Sequence, residues 1–416
     1  MSDDEFKDLD GSVYLVGGAV RDALLGISPK EKDWVVVGSS PEALTRRGFR
    51  QVGASFPVFL HPETGQEYAL ARTERKQGHG YHGFSVEFHP GVSLEEDLER
   101  RDLTINAMAQ DEKGQLIDPF DGQADLRARV LRHVSAAFSE DPLRVLRVAR
   151  FAARFASLGF TVHPSTMKLM EEIVVSGELS HLVPERIWAE VNKAMTTGTP
   201  GDFVRVLRDC GALAVLMPEV DALFGVPQNA KYHPEIDTGV HVMMAMNLAA
   251  REGWPAPVVF AVLMHDLGKG RTDPNEWPSH VGHERRGLPL VERVCERLRT
   301  PTAYRVLAMR VCLLHLRCHQ LMEMRPVKIM SLIEDADLLR RPEGLQPFLQ
   351  SCEADYRGRK DRENKPYPQA ARLTAALEAV LAIQARQLDI EGLGGLAIGD
   401  KLRQARIDAI AGVLTD

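Results

Sequence analysis

Short β-rich runs separated by glycine turns fill the first third of the chain: Val13 to Val16, Trp34 to Val37, Tyr68 to Ala71 and Phe84 to Phe88. Runs of this length, bounded by turn residues, predict strands, so this part reads as a small mixed sheet with a few helices. From Pro142 onward the chain turns to long stretches rich in Leu, Ala, Arg and Glu, punctuated by Gly and Pro, and the remainder is predicted to be nearly all helical. The expected class is α+β. Breaks near Gly198-Thr199-Pro200-Gly201, Gly225-Val226-Pro227 and Arg341-Pro342 are the better boundary candidates, and Arg357 to Pro368 reads as an exposed charged loop.

Composition narrows this picture. With 416 residues and 44% hydrophobic content, the chain can bury a large core and divide into several domains. No apolar run approaches the roughly 20 residues that cross a bilayer, and Met1 to Asp10 is acidic where a signal peptide would be basic and then apolar. No membrane partner and a cytoplasmic setting are expected. The cysteines, Cys210, Cys295, Cys312, Cys318 and Cys352, form no C-x-x-C pair and read as reduced thiols. A net charge of −7 argues against a nucleic-acid partner, but arginines cluster at Arg144 to Arg154, Arg297 to Arg310 and Arg357 to Arg362, so composition leaves RNA open.

Two weak signals lie close together near the N-terminus. The strand Val13 to Val16 runs into Gly17-Gly18 and then a short helix closed by Gly26. Two glycines leave backbone N–H groups open to a triphosphate, the helix N-terminus adds positive potential, and Arg21 lies one turn in to pair with phosphate oxygens. The following strand begins with Glu31 and Asp33 at spacing two, which points both carboxylates to one side, where they can hold Mg²⁺. Lys30 and Lys32 interleave with these acids, so a solvated charge run remains the competing reading.

Asp141 to Phe155 is helical by pattern, with Pro142 at its start. Arg144, Arg147, Arg150 and Arg154 fall in one stripe of an otherwise apolar helix. A stripe of arginine alone points to fixed anionic or planar partners: a ligand, or the acids of neighbouring helices.

Together, Leu15-Val16-Gly17-Gly18-Ala19-Val20-Arg21-Asp22, the acids before Trp34, and Arg100-Arg101-Asp102-Leu103-Thr104-Ile105-Asn106-Ala107 resemble the head motifs of class II tRNA nucleotidyltransferases, within the polymerase-β superfamily. Asp118-Pro119-Phe120-Asp121-Gly122 with Asp125-Leu126, then Glu140-Asp141-Pro142-Leu143-Arg144, extend the likeness in the family's order. It implies a polymerase-β-like head at residues 1–139, a helical neck and body at 140–230, an HD domain at 231–340 and a helical tail at 341–416. It further implies template-independent addition of CCA to tRNA from CTP and ATP, with Mg²⁺ on Glu31 and Asp33 as the catalytic acids. Gly18, Arg21, Arg101, Arg147 and Arg150 would bind the nucleotide, and Asp141 and Arg144 would read the base edge. The family usually has Asp-x-Asp where this chain has Glu31-Lys32-Asp33, which makes Asp33 the safer metal ligand.

Asp237 to His241 and Leu263-Met264-His265-Asp266-Leu267-Gly268-Lys269 resemble an HD phosphohydrolase domain, with His241, His265 and Asp266 as metal ligands and His280, His283 and His315 as further candidates. With this motif the chain looks closest to the multifunctional CCA-adding proteins of proteobacteria. That likeness implies 2′,3′-cyclic phosphodiesterase, 2′-nucleotidase and phosphatase activities, Ni²⁺ at the second site, and a monomer or dimer. The rival readings are a poly(A) polymerase and an HD phosphohydrolase with an inactive transferase head.

Overall fold

A computed structural model of the chain describes residues 11–29, 31–52, 58–76, 84–87, 89–389 and 391–414. Met1 to Asp10, Lys30 and Phe88, used in the sequence reading, lie outside the described residues. The chain forms two compact units, Met1–Glu190 with Val206–Leu216, and Val191–Arg205 with Met217–Asp416.

The first unit is built on β1 (Ser12–Val16), β2 (Asp33–Val37), β3 (Arg50–Val52), β4 (Val58–Leu60), β5 (Glu67–Leu70), β6 (Thr73–Lys76), β7 (Phe84–Glu87), β8 (Ala109–Gln110) and β9 (Leu116–Ile117). Seven strands form one sheet in the order β3-β4-β5-β2-β1-β8-β9, while β6 and β7 pair separately. The sheet is mixed, as expected: β2 runs parallel to β5 and antiparallel to β1. Strand β2 is apolar on both faces. Trp34 and Val36 join one core cluster with Val13, Leu15, Phe59 and Tyr68; Val35 joins a second with Val16 and Leu98. A near-continuous apolar run is what a central strand covered on both sides requires. Asp33 is where that run meets water, and register sets its neighbours: Val16, which leads into Gly17-Gly18, on one side and Glu67 on the other.

The arginine-striped helix runs Leu143–Phe155, two residues later than the pattern suggested, with Pro142 as its cap. Its apolar face, from Val145 and Leu146 to Phe155, is buried.

The second unit is helical. Ala256–Met264 carries no charge, and Val258 through Met264 are fully buried, as befits a helix that is apolar all round. It packs against helices Thr238–Arg251, Thr302–His319 and Leu345–Arg357. His265 and Asp266 follow its last turn, and the chain then enters a short 3₁₀ turn, Leu267–Arg271. Arg357 to Pro368 is the loop expected, exposed at Lys360, Asp361 and Asn364 to Pro366, but its start is tied down. Arg357 pairs with Glu353 and Glu252, and Arg359 is 8% exposed and bonded to Asp355, because a buried carboxylate needs a cation beside it. All five cysteines are buried free thiols.

Gly268 allows the start of helix His283–Arg297 to approach, since a β-carbon there would overlap the His283 carbonyl. Backbone cannot give way as a flexible side chain can. A Gly268→Ala chain should therefore lose about 1–3 kcal/mol, as overpacked cores do, read as a lowered urea midpoint. An unchanged midpoint would contradict this packing.

Candidate functional site

In the first unit, Pro29, Glu31, Lys32, Asp33, Thr64, Gly65, Gln66 and Glu67 line a cleft of about 450 Å³. Glu31 is not on β2 but in the coil before it, so alternation does not aim it; it nevertheless lines the same cleft as Asp33. Glu67 stands beside Asp33 on the parallel neighbour strand, and side chains paired in this way share a face. Asp33 stands at the cleft edge, yet the protein packed around it strips enough water to push its carboxyl above the usual range. Arg101 opposes that shift and Glu31 adds to it. Hard oxygen donors crowded in this way fit a divalent cation.

Gly17 turns the chain between β1 and the helix Gly18–Leu24 with φ 69° and ψ −125°, a conformation that favours glycine. A β-carbon on it would stand 2.8 Å from Arg101 Nη1. Arg101 Nη2 donates to Asp97 at 3.1 Å, while its buried Nε has no hydrogen-bond partner among the described residues. Arg21 lies one turn into this helix. It is 2% exposed, donates to Asp22 at 2.7 and 2.9 Å and to Asn106, and its guanidinium sits 5.0–5.1 Å from the Phe155 and Phe151 rings. These contacts hold the guanidinium close to Gly18, where a β-carbon would stand 3.4 Å from Arg21 Nη2.

The arginine stripe meets carboxylates and carbonyls of the same unit. Arg147 pairs with Asp102 at 2.6 Å, Arg150 with Glu190 at 2.5 Å and Arg154 with Asp22 at 2.8 Å. Arg144 donates to the Ala137 carbonyl at 2.7 Å and the Arg100 carbonyl at 2.5 Å, and Asp141 accepts from Arg186 at 2.9 Å. Asp102 also accepts from Asn106 and from the Leu103 N–H, both at 2.9 Å. Burial alone would raise its carboxyl, but Arg147 and these donors hold it well below the usual range.

The second unit carries a buried polar cluster where His265-Asp266 ends the apolar helix. His265 Nε2 lies 3.2 Å from Asp266 Oδ2, and His283 Nε2 3.1 Å from Asp266 Oδ1. His241 Nε2 lies 3.0 Å from Asp355 Oδ1. Lys269 bonds Asp266 Oδ2 at 2.6 Å, and Arg359 and His319 bond Asp355 at 3.0 and 2.6 Å. Burial opposes ionisation of both carboxyls, but His265 and Lys269 around Asp266, and Arg359 and His319 around Asp355, hold them well below their usual range. His265 Nε2 and Asp266 Oδ1 are buried without a well-formed hydrogen bond among the described residues. Imidazole and carboxylate donors left so, in groups close enough to share an ion, fit a transition metal. His280 does not join them: its nitrogens face Thr272 Oγ1 and the Pro227 carbonyl, both at 2.9 Å.

Residues 13–132 match the poly A polymerase head domain, and residues 159–224 the probable RNA and SrmB-binding site of polymerase A. A multifunctional CCA protein of Thioalkalivibrio sulfidiphilus is 58% identical over 397 residues, 95% of this chain and 97% of its own. The chain belongs to the class II tRNA nucleotidyltransferases, among the multifunctional CCA proteins. In fold it resembles a CCA-adding enzyme solved with ATP, with TM-score 0.66 and 19% identity over 98% of this chain and 87% of that one. It also resembles the Thermotoga maritima CCA-adding enzyme complexed with tRNA, with TM-score 0.61 and 20% identity over 98% and 89%. No helix among the described residues is long and apolar enough to cross a membrane.

Against this family pattern, Gly18, Arg101, Glu31 and Asp33 belong to one region of the head, and Asp141, Arg144, Arg147 and Arg150 to one helix start and stripe. His241, His265 and Asp266 come together in the second unit. Sequence reasoning missed Glu67, signalled only by a lone acid at a strand start, and Asp355, which sits in a helix with no motif.

Asp102 lends itself to a test. Asp102→Ala leaves Arg147 without its carboxylate, and because the Arg147 side chain is 36% exposed, the cost should be roughly 2–3 kcal/mol, below the ~3–5 of a fully buried pair. A carboxyl depressed in the folded state stabilises above its unfolded pKa of about 3.9, and that contribution is lost as pH falls toward the folded value. The gap between wild type and Asp102→Ala in urea unfolding should thus be full at pH 7 and shrink below about pH 4. A gap independent of pH would contradict the pairing.

Proposed function

We propose that this chain builds and repairs the 3′-terminal CCA of tRNA, adding nucleotides from CTP and ATP without a nucleic-acid template and releasing pyrophosphate. The observation that carries the reading is the convergence of Glu31, Asp33 and Glu67 beside the Gly17-Gly18 turn and Arg101. Glu31, Asp33 and Glu67 hold Mg²⁺, which when bound offsets triphosphate charge and activates the attacking 3′-hydroxyl. The backbone at Gly17-Gly18 approaches the triphosphate closely, and Arg101 pairs with its oxygens. Asp141 and Arg144 read the base edge as an acceptor and a donor fork, which matches C and A and rejects U and G. Doing so requires Asp141 to exchange Arg186, and Arg144 its two carbonyls, for the base. Arg147 and Arg150 complete the nucleotide site. Arg21 joins the nucleotide site beside Gly18 and also orients Asn106 and Asp22.

Residues 1–139 serve as the transferase head, 140–230 as neck and body, 231–340 as an HD phosphohydrolase domain and 341–416 as a tail that lends Asp355. His241, His265 and Asp266 hold a transition metal, Ni²⁺ by preference, for hydrolysis of 2′,3′-cyclic phosphates, 2′-nucleotides and phosphomonoesters at damaged tRNA ends. The unsatisfied His265 and Asp266 atoms support this site.

The test is tRNA lacking its last three nucleotides, incubated with the protein and Mg²⁺. CTP alone should extend it by two residues, ATP alone by none, and both should restore CCA. A long tail from ATP alone would favour a poly(A) polymerase. Asp33→Ala should lower nucleotide addition by more than about a hundredfold, on the scale of removing a main electrostatic stabiliser, and spare phosphatase activity. Asp266→Ala should do the reverse; loss of both activities in either variant would sink the two-site reading.

A further inference from the structure

Two arginines of the first unit share one buried carboxylate. Asp97, on helix Leu94–Glu99, is 0% exposed, and its two oxygens meet different partners. Oδ1 accepts from Arg100 Nη2 at 2.6 Å, from Arg100 Nε at 3.2 Å and from the Arg72 N–H at 3.3 Å. Arg100 Nε also donates to the Arg72 carbonyl at 2.9 Å, so this side of Asp97 is tied to the end of β5, the strand that carries Glu67. Oδ2 accepts from Arg101 Nη2 at 3.1 Å. Burial opposes ionisation of Asp97, but Arg100 and Arg101 hold its carboxyl below the usual range.

Arg101 is thereby held by one nitrogen. Its Nη1 lies over Gly17, where a β-carbon would stand 2.8 Å from it, and its buried Nε has no partner among the described residues. Gly17 follows Val16, the β1 residue paired with Asp33. The guanidinium thus stands beside a metal-binding acid, and it offsets part of the rise that burial causes in the Asp33 carboxyl. Released from Asp97, it could turn onto Asp33 and form the two-pronged pair that arginine and carboxylate favour. Such a pair would occupy the oxygens that Mg²⁺ needs. Opposite charges attract over several ångströms, so keeping the two apart in an empty site takes a competing carboxylate. Asp97 is suited to compete, because it is buried and less screened than the exposed Asp33.

We propose that Asp97 is a positioning residue that holds Arg101 off Asp33, keeping the acids open for Mg²⁺ and the guanidinium turned to the triphosphate. The proposal rests on the reading of Arg101 as a triphosphate-binding arginine and adds to it a residue that touches neither nucleotide nor metal. One carboxylate then sets both poles of the site: through Arg100 and Arg72 it is anchored to the strand of Glu67, and through Arg101 it places the cation.

The test uses the full chain carrying Asp266→Ala, which weakens the second site so that Mn²⁺ reports on the first. Mn²⁺ binding is read without nucleotide from the loss of the free-ion EPR signal, and CTP addition is followed on tRNA lacking its last three nucleotides. Asp97→Asn keeps the shape but releases Arg101. It should raise both the Mn²⁺ dissociation constant and the CTP KM by roughly ten- to a hundredfold, on the scale of misplacing one group by an ångström, with kcat at saturating CTP and metal near the parent value. Arg101→Ala should raise the CTP KM without weakening Mn²⁺ binding, and adding Asp97→Asn to it should change neither further. A purely structural role would lower kcat and persist without Arg101, so an Mn²⁺ defect in the double variant overturns the proposal. Parent-like Mn²⁺ binding in Asp97→Asn does the same. Asp97→Glu, which keeps the charge, should bind Mn²⁺ as the parent does even if the Asn variant fails to fold by circular dichroism; weakened binding there is also contrary. An Arg101→Ala chain with the parent's CTP KM overturns both the proposal and the triphosphate reading beneath it.

Discussion

The Asp102 carboxylate is the point on which the head's site depends. It is buried, so it has to be satisfied, and it is satisfied by Arg147 of the arginine-striped helix, Asn106 and the Leu103 N–H. Asn106 in turn accepts from Arg21, one turn beyond the Gly17-Gly18 turn. A single buried charge therefore ties that turn to the helix whose start carries Asp141 and Arg144. Removing one member leaves the others charged and desolvated, which is why such networks specify one arrangement more than they add stability.

The same rule explains the arginines. The sequence pattern left two readings for the stripe, a ligand or neighbouring acids, and within the first unit Arg147, Arg150 and Arg154 meet Asp102, Glu190 and Asp22. These charges are structural in this state. Arg297 with Glu219, and Arg357 with Glu252 and Glu353, follow suit in the second unit. Linear density of arginine in the sequence says nothing of which acids the fold brings opposite.

Much of the fold was legible because it rests on local periodicity: apolar runs at β1 and β2, the change to helix after Pro142, and the all-apolar Val258 to Met264. The parts of the site that follow one another in sequence, Gly17-Gly18 with Asp33 and His265 with Asp266, were legible for the same reason. Glu67 and Asp355 were not. Glu67 joins the cleft only through the parallel register of β5 on β2, and Asp355 joins the histidines only through the packing of Leu345–Arg357 against three other helices. Both are long-range pairings, which a one-dimensional pattern does not encode. Nor did the spacing of Arg21 show that the Phe151 and Phe155 rings and two polar partners hold its guanidinium.

Glu31 takes on a different meaning in this light. The backbone of Asp33 is fixed by strand register between Val16 and Glu67. Glu31 lies in the coil before β2, where the backbone is not held by a ladder. A position without register can accept one more methylene, because the chain entering the strand sets the reach and the side chain adapts to it. The departure from Asp-x-Asp falls at the acid whose backbone can absorb it, so the substitution is compatible with an intact carboxylate cleft.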